Sequence, residues 1–339
     1  MSTDPVGAAM NYALCGIPLR LDCRTASAGR SLGRALQALF PLIPRASTPS
    51  DCGLEVRIGH PADEPVLGEI VYRAPEICVL RTARGYHLRT RTAFLSLDLK
   101  AGRAAGALSD AFLAAPLEVQ RSLWLFALPM LLSARGLYAL HAGGVVSPEG
   151  HGVLLAGVSG SGKTTLTCAL TRSGWSYLSD DSVLLEDTPE GVQALAFGRS
   201  FHCAAPLFGH YPELCAGSAA PQRGKRLVEA ASLYPGQSRE RAQPRAVFFP
   251  EIVAEEETRA IPLSATETLL RLLANAAAKL HGRAAMAAQM AALTQLASSA
   301  RGYRLLHGAD VHRHPERVAA LLRRCADAQG ERHELNSAA

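Results

Sequence analysis

From residue 157 to residue 164 the chain reads Gly157-Val158-Ser159-Gly160-Ser161-Gly162-Lys163-Thr164, filling every position of the phosphate-loop pattern G-x-x-x-x-G-K-[ST]. Nothing else in the sequence restricts the fold so strongly. The loop works only when a buried strand delivers the chain into it and a helix carries it away. Its backbone N–H groups must converge on phosphate oxygens while the lysine neutralises the outer phosphates. The flanks meet that demand. Residues 137–146 and 152–156 are apolar runs without alternation, as expected of strands buried on both faces of a sheet, with Pro148-Glu149-Gly150 turning between them. Residues 164–172 predict the helix, stopped by Gly174, and residues 175–178 predict a strand ending on Ser179-Asp180-Asp181. Strand, phosphate loop, helix, strand is the context that separates a working loop from a chance string. It predicts an α/β core that binds a nucleoside triphosphate, with the Thr164 hydroxyl on the accompanying Mg²⁺.

The remaining residues bound the classes of protein. At 339 residues the chain holds one to three domains, and 48% hydrophobic with 19% charged residues describes a globular protein. The net charge of +5 is weak and its 35 basic residues are scattered, so nucleic acid is not an expected partner. The eight cysteines form no C-x-x-C pair and fit no zinc-site spacing, which predicts free thiols in a reducing cytoplasm. Cys168 falls on the helix after the loop, where a small buried thiol packs well. The N-terminus lacks a basic and an apolar region, so no signal peptide is expected. The greasiest run, residues 123–132, lies between Arg121 and Arg135 and is too short to span a bilayer. A cytoplasmic protein with no membrane partner is the expectation.

Along the chain the character changes three times. Residues 1–115 predict a small, mostly antiparallel α/β domain, with helical periodicity only around residues 29–40 and alternation at 53–58, 85–90 and 93–99. Residues 116–263 predict the phosphate-loop core, entered by a helix from Pro116 to about Ala134 that Gly136 stops. Within it, residues 186–260 read as irregular and rich in proline, with short strands at 246–249 and 251–254. Residues 264–330 predict C-terminal helices. Ser264-Ala265-Thr266-Glu267 is a capping box before an apolar stripe of Leu269, Leu270, Leu272 and Leu273. Gly282 interrupts, a second helix runs to about Ser299, and Pro315 starts a third that ends near Cys325, with a frayed tail over 331–339. Met286, Met290 and Leu293 at helical spacing suggest a packing lid or an oligomer surface, so a homo-oligomer is possible.

A phosphate loop alone leaves the reaction open. Adjacent carboxylates at the end of the following strand narrow it. Mutual repulsion and desolvation raise one pKa while a metal lowers the other, which suits one carboxylate serving the metal and its neighbour accepting a proton from an alcohol. The bland alternative is a solvated acidic turn. His141, read as closing the preceding strand, could hold one carboxylate in place; a satisfied core histidine is the alternative. Lys225 and Arg226, in the basic turn Arg223-Gly224-Lys225-Arg226, could stabilise transferring charge or sit exposed. Arg199 and His202 flank a candidate substrate-side loop.

The stretches Leu140-His141-Ala142-Gly143-Gly144-Val145-Val146, Gly157 through Thr165, and Leu178-Ser179-Asp180-Asp181-Ser182-Val183 resemble the catalytic core of the HPr kinase/phosphorylase family. More narrowly, the chain resembles the HPr kinase-like proteins encoded with peptide-maturation systems, including those that phosphorylate lasso-peptide precursors. Gly224-Lys225-Arg226-Leu227, Val247-Phe248-Phe249-Pro250 and Tyr303-Arg304-Leu305-Leu306-His307-Gly308 carry the likeness outside that core. The resemblance implies a phosphoenolpyruvate-carboxykinase-like nucleotide core with a smaller N-terminal α/β domain and C-terminal helices. It also implies transfer of the γ-phosphoryl group of ATP, with Mg²⁺, to a serine hydroxyl of a peptide or small protein. By position, Gly157, Ser159, Gly160, Ser161, Gly162, Lys163, Thr164 and Thr165 would hold the nucleotide, and Thr164 and Asp180 the metal. Asp181 would be the base, with Asp180, His141 and Lys163 assisting. The chain departs from the family in lacking the glycine- and proline-bearing loop that the bifunctional enzymes use in the reverse reaction. Two other readings keep the motif: a kinase of a free hydroxylated metabolite, and a nucleotide-gated peptide-binding module without transfer.

Overall fold

The computed structural model describes residues 6–46, 52–58, 67–215, 224–276 and 283–328. Mixed α/β architecture runs throughout. The N-terminal part builds a nine-stranded sheet in the order β3-β1-β2-β4-β9-β8-β7-β6-β5, larger than the small domain expected. In chain order its strands are β1 (Val6–Leu14), β2 (Ile17–Thr25), β3 (Leu42–Arg45), β4 (Cys52–Ile58) and β5 (Glu69–Arg73), followed by β6 (Cys78–Thr82), β7 (Gly85–Arg89), β8 (Ala93–Asp98) and β9 (Arg103–Leu108). Pairing is antiparallel except where β4 lies parallel to β2 and β9. The amphipathic helix α1 (Ala26–Leu39) forms where the helical periodicity appears, capped by the Thr25 side chain. The tail over residues 331–339 lies outside the described residues.

A short helix, α2 (Asp110–Leu113), leads into α3 (Leu117–Ser133), which starts after Pro116 and is followed by Gly136 at φ 80°, as the sequence predicts. Its Trp124, Leu128 and Leu131 are buried against the N-terminal sheet together with Leu184, Leu195 and Phe197. The N-terminal part and the core therefore share one apolar cluster. One polar residue of this helix, Arg121, faces away from that cluster and reaches Asp181.

Residues 137–146 are two strands rather than the one expected. β10 (Leu137–Leu140) pairs with β14 (Val183–Thr188) in a four-stranded sheet, and β11 (Ala142–Val146) belongs to a six-stranded one. His141 is the residue at which the chain changes sheets, and its N–H donates to Asn275 O at 2.9 Å. The six-stranded sheet is ordered β13-β11-β12-β19-β21-β20, with β12 (Gly152–Ala156), β13 (Ser176–Ser179), β19 (Pro244–Ile252), β20 (Arg259–Leu263) and β21 (Arg301–His307). β12, β19 and β21 are parallel, and β13 shares their direction through two antiparallel steps. Four strands thus point their carboxyl ends to one edge, where ligands bind in open α/β sheets.

α4 (Lys163–Arg172) packs on this sheet, and Gly143 permits the approach: a Cβ there would meet Thr167 Oγ1 at 2.8 Å. Cys168 is buried in that layer, as expected. The segment read as irregular is largely regular. It holds β14, β15 (Gly191–Ala196), β16 (Ser200–Ala204), α5 (Leu207–His210), β17 (Lys225–Glu229), α6 (Ala230–Leu233) and β18 (Arg241–Ala242). The strands expected at 246–249 and 251–254 are one, β19.

In the C-terminal part the Ser264 capping box starts α7 (Ala265–Ala274), α8 (Arg283–Ser299) follows, and α9 (Asp310–Arg313) precedes α10 (Pro315–Asp327). Gly282 lies outside the described residues. Between these helices β21 inserts into the core sheet, so the helices are strung on a core strand. Leu270, expected on the buried stripe, is 62% exposed, while Leu272 is buried. Met286 and Met290 are exposed and Leu293 is buried. Among the described residues no helix is long and apolar enough to cross a membrane.

Candidate active site

β12 delivers the chain into the phosphate loop and α4 leaves it. The turn depends on Gly162, whose φ of 99° lies in the left-handed region and whose place beside His307 leaves no room for a Cβ. Replacing Gly162 by Ala is expected to cost about 1–2 kcal/mol in backbone strain, more with the His307 collision. It should weaken triphosphate binding at least tenfold by isothermal titration, roughly what 1.4 kcal/mol of lost affinity gives. Unchanged affinity would show that the loop does not hold the ligand.

Lys163 is buried and folds over its own loop, donating to Gly157 O at 2.6 Å and Val158 O at 2.9 Å. Its third partner is His141 Nε2 at 3.1 Å. Burial lowers the lysine pKa, and the charges of Asp181 and Asp180 pull it back. An ammonium only donates, so His141 accepts at Nε2 and carries its proton on Nδ1. That nitrogen lies 3.5 Å from Asp181 Oδ1. Burial keeps the imidazole pKa low, with the Asp181 charge opposing and the Lys163 charge adding to the effect. Neutral His141 therefore links the lysine to the carboxylate.

The two aspartates occupy different environments. Ser179 fixes the turn that carries them: its hydroxyl donates to Ser182 O at 2.6 Å and accepts from Gly198 N at 2.9 Å. Asp180 turns inward, with 2% of its surface exposed. Its Oδ2 accepts from Thr164 Oγ1 at 2.9 Å and from His202 N at 2.8 Å, and its buried Oδ1 has no partner among the described residues. Burial pushes this carboxyl up to about 6, the Asp181 charge adds to the rise, and the two hydrogen bonds oppose it. Asp181 instead lines the cavity. Its φ of 69° is left-handed, a region that aspartate and asparagine enter more readily than other non-glycine residues. Burial raises its pKa, but the Arg121 guanidinium and His141 outweigh burial, so it lies below the ordinary carboxylate range. Asp181 is therefore ionised at neutral pH.

Arg121, read in sequence only as the end of an apolar run, reaches from α3 to donate to Asp181 Oδ2 at 2.7 Å. Both side chains are mostly buried, at 12% and 24% exposure. Removing one partner of such a pair strands the other charge, so Arg121→Met is expected to destabilise the protein by about 3 kcal/mol. A lower urea midpoint, partly restored in Arg121→Lys, is the expected result. An unchanged midpoint would mean that the pair contributes nothing to the fold.

The cavity in front of the loop has a volume of about 550 Å³, in the range of small-molecule sites. Ser159, Gly160, Gly162, Lys163, Thr164 and Thr165 line it together with Asp181. Gly157 and Ser161 belong to the loop behind that wall. Of the residues considered for the substrate side, His202 and Lys225 line the cavity and the others do not. Burial, with the Arg121 charge, pushes His202 down to about 4. Arg226 lies over the Phe208 ring and donates to the Leu214 and Cys215 carbonyls. Arg199 bonds Glu229 at 3.2 Å and Gln37 O at 3.5 Å. These two arginines hold the structure rather than the site. Arg223 lies outside the described residues. His307, from the Tyr303–Gly308 stretch that carries the likeness, also lines the cavity, as do His210 and His312, which no sequence pattern announced.

No protein-family model matches this sequence, and no curated protein matches it. Among solved structures, the chain is similar to the HPr(Ser) kinase/phosphatase from Coxiella burnetii at 13% identity, over 55% of this chain and 93% of that one, with a TM-score of 0.28.

Proposed function

We propose that this protein is an ATP-dependent kinase that transfers the γ-phosphoryl group to a serine hydroxyl of a peptide or small protein, in the manner of the HPr kinase-like proteins it resembles in sequence. One observation carries the reading: a complete phosphate loop and an ionised carboxylate open on the same cavity, with Thr164 on its wall hydrogen-bonded to the buried Asp180 behind it. The loop amides and Lys163 hold the phosphates, and Lys163 exchanges its carbonyl partners for phosphate oxygens. Thr164 and Asp180 fit a divalent cation, because the pair presents two oxygens at 2.9 Å and the buried Asp180 Oδ1 lacks a donor. Mg²⁺ bound there supplies positive charge to the phosphates.

Asp181 orients the serine hydroxyl and accepts its proton as the oxygen bonds to the γ-phosphorus and the bond to the β-phosphate oxygen breaks, releasing ADP. His141 and Arg121 keep that carboxylate charged and aimed. Transfer rests on positioning and charge neutralisation, without a covalent enzyme intermediate. Incubation with γ-labelled ATP and short serine-containing precursor peptides tests the proposal. Label recovered as phosphoserine supports it; release of free phosphate alone would overturn it.

A further inference from the structure

The chemistry accounts for one end of the cavity only. In the six-stranded sheet the carboxylates follow β13 and the phosphate loop follows β12, two strands away. β21 lies two strands further on the other side. At a strand spacing of about 4.8 Å, the loop stands roughly 10 Å from each flank. A triphosphate with its γ end beside Asp181 must run across the loop and leave its nucleoside at the β21 flank.

That flank is built for a flat, weakly polar group. α9 follows β21 and carries His312, and α5 ends at His210. Their rings stack at 3.8 Å with 15° between planes. His312 is held neutral: burial, then the charges of His210 and His307, push it down to about 4. Its Nδ1 has no partner among the described residues. Pro206, Leu207, Ile252 and Val253 complete the wall, and His210 is exposed.

We infer that the stacked His210–His312 pair is the nucleobase platform of this site, and that it accepts purine and pyrimidine triphosphates alike. The inference rests on the nucleotide-binding reading above and adds where the base lies and how little it is selected. A ring face flanked by apolar side chains offers stacking, which every base can use, and little hydrogen-bond readout. Stacking on an aromatic side chain contributes enough for about tenfold or more in affinity.

The experiment compares the affinity of the whole 339-residue chain, with Mg²⁺, for ATP, GTP, UTP and inorganic tripolyphosphate by isothermal titration. All three nucleotides should bind about tenfold or more tighter than tripolyphosphate and within roughly tenfold of one another. His210→Ala, at an exposed position, and His312→Ala should each bring ATP affinity close to that of tripolyphosphate and leave tripolyphosphate unchanged. His312→Phe, which keeps a flat ring, should retain tight ATP binding. The platform is overturned if ATP binds no tighter than tripolyphosphate, if His210→Ala leaves ATP affinity intact, or if one base is preferred a hundredfold. Failure of tripolyphosphate itself to bind would strike the phosphate-loop reading instead.

Discussion

If Asp181 is the proton acceptor proposed above, Asp181→Asn is expected to lose about 10²–10⁴-fold in turnover while ATP still binds. The substitution is well isolated. Asp181 sits at φ 69°, and asparagine is among the few residues that adopt the left-handed region readily, so the turn is not strained by the change. The amide keeps an oxygen for the Arg121 guanidinium, 2.7 Å from the present carboxylate. What disappears is the charge that would take the hydroxyl proton. Nucleotide affinity should hold or tighten slightly, since a negative charge near the phosphates is gone. Single-turnover transfer to a serine peptide, measured beside ATP binding, separates the two effects. Wild-type turnover in the variant would remove Asp181 from the chemistry. Full partner binding and cellular function without turnover would favour the nucleotide-gated module.

How much of this was legible in advance depends on the range of each signal. The phosphate loop, the helix after Pro116 and the Ser264 capping box are local patterns, and they appear where the sequence places them. The break at His141 did not show, because an apolar run reads the same whether it stays in one sheet or crosses to another. Residues 186–260 read as irregular because prolines in a sequence pattern count as breakers. Yet Pro244 opens β19 and Pro206 and Pro212 precede or open short helical turns, positions where a missing N–H costs little.

The candidate site divides the same way. Lys163, Thr164 and the aspartate pair lie on contiguous motifs. Arg121 reaches Asp181 across 60 residues of sequence, from a helix whose composition advertises only burial. The cavity histidines come from separate elements and meet only in the fold; His307 lies in a stretch that carries the likeness and His202 flanks the candidate loop, but His210 and His312 have no sequence pattern around them. Lys225 and Arg226 show how close the distinction runs: adjacent basic residues in a strand point to opposite sides, so one faces the cavity and the other packs on Phe208.

Asp180→Asn should make the free protein more stable and, on the proposed reading, remove a ligand of its divalent cation. The Asp180 carboxyl is pushed from 3.8 to about 6 by burial, so between those values the folded chain holds a proton that the unfolded chain has lost. Its stabilising contribution is full below about pH 4 and is lost as pH rises through about 6. Above that pH the buried charge costs the fold on the order of 2–3 kcal/mol, which asparagine does not incur. Part of the gain is offset, because an amide in place of Oδ1 meets no acceptor and forfeits about 1 kcal/mol. A net gain of about 1–2 kcal/mol should appear as a melting temperature higher by a few degrees at pH 8, crossing zero as pH falls and reversing to a deficit of about 1 kcal/mol near pH 4. Adding ATP with magnesium should raise the wild-type midpoint more than the variant's, and EDTA should restore the original order. A variant less stable than wild type at pH 8 would mean that the Asp180 charge is already compensated in the free protein. Thr164 and His202 would then suffice to hold it, and the open lone pairs of Oδ1 would no longer argue for a cation.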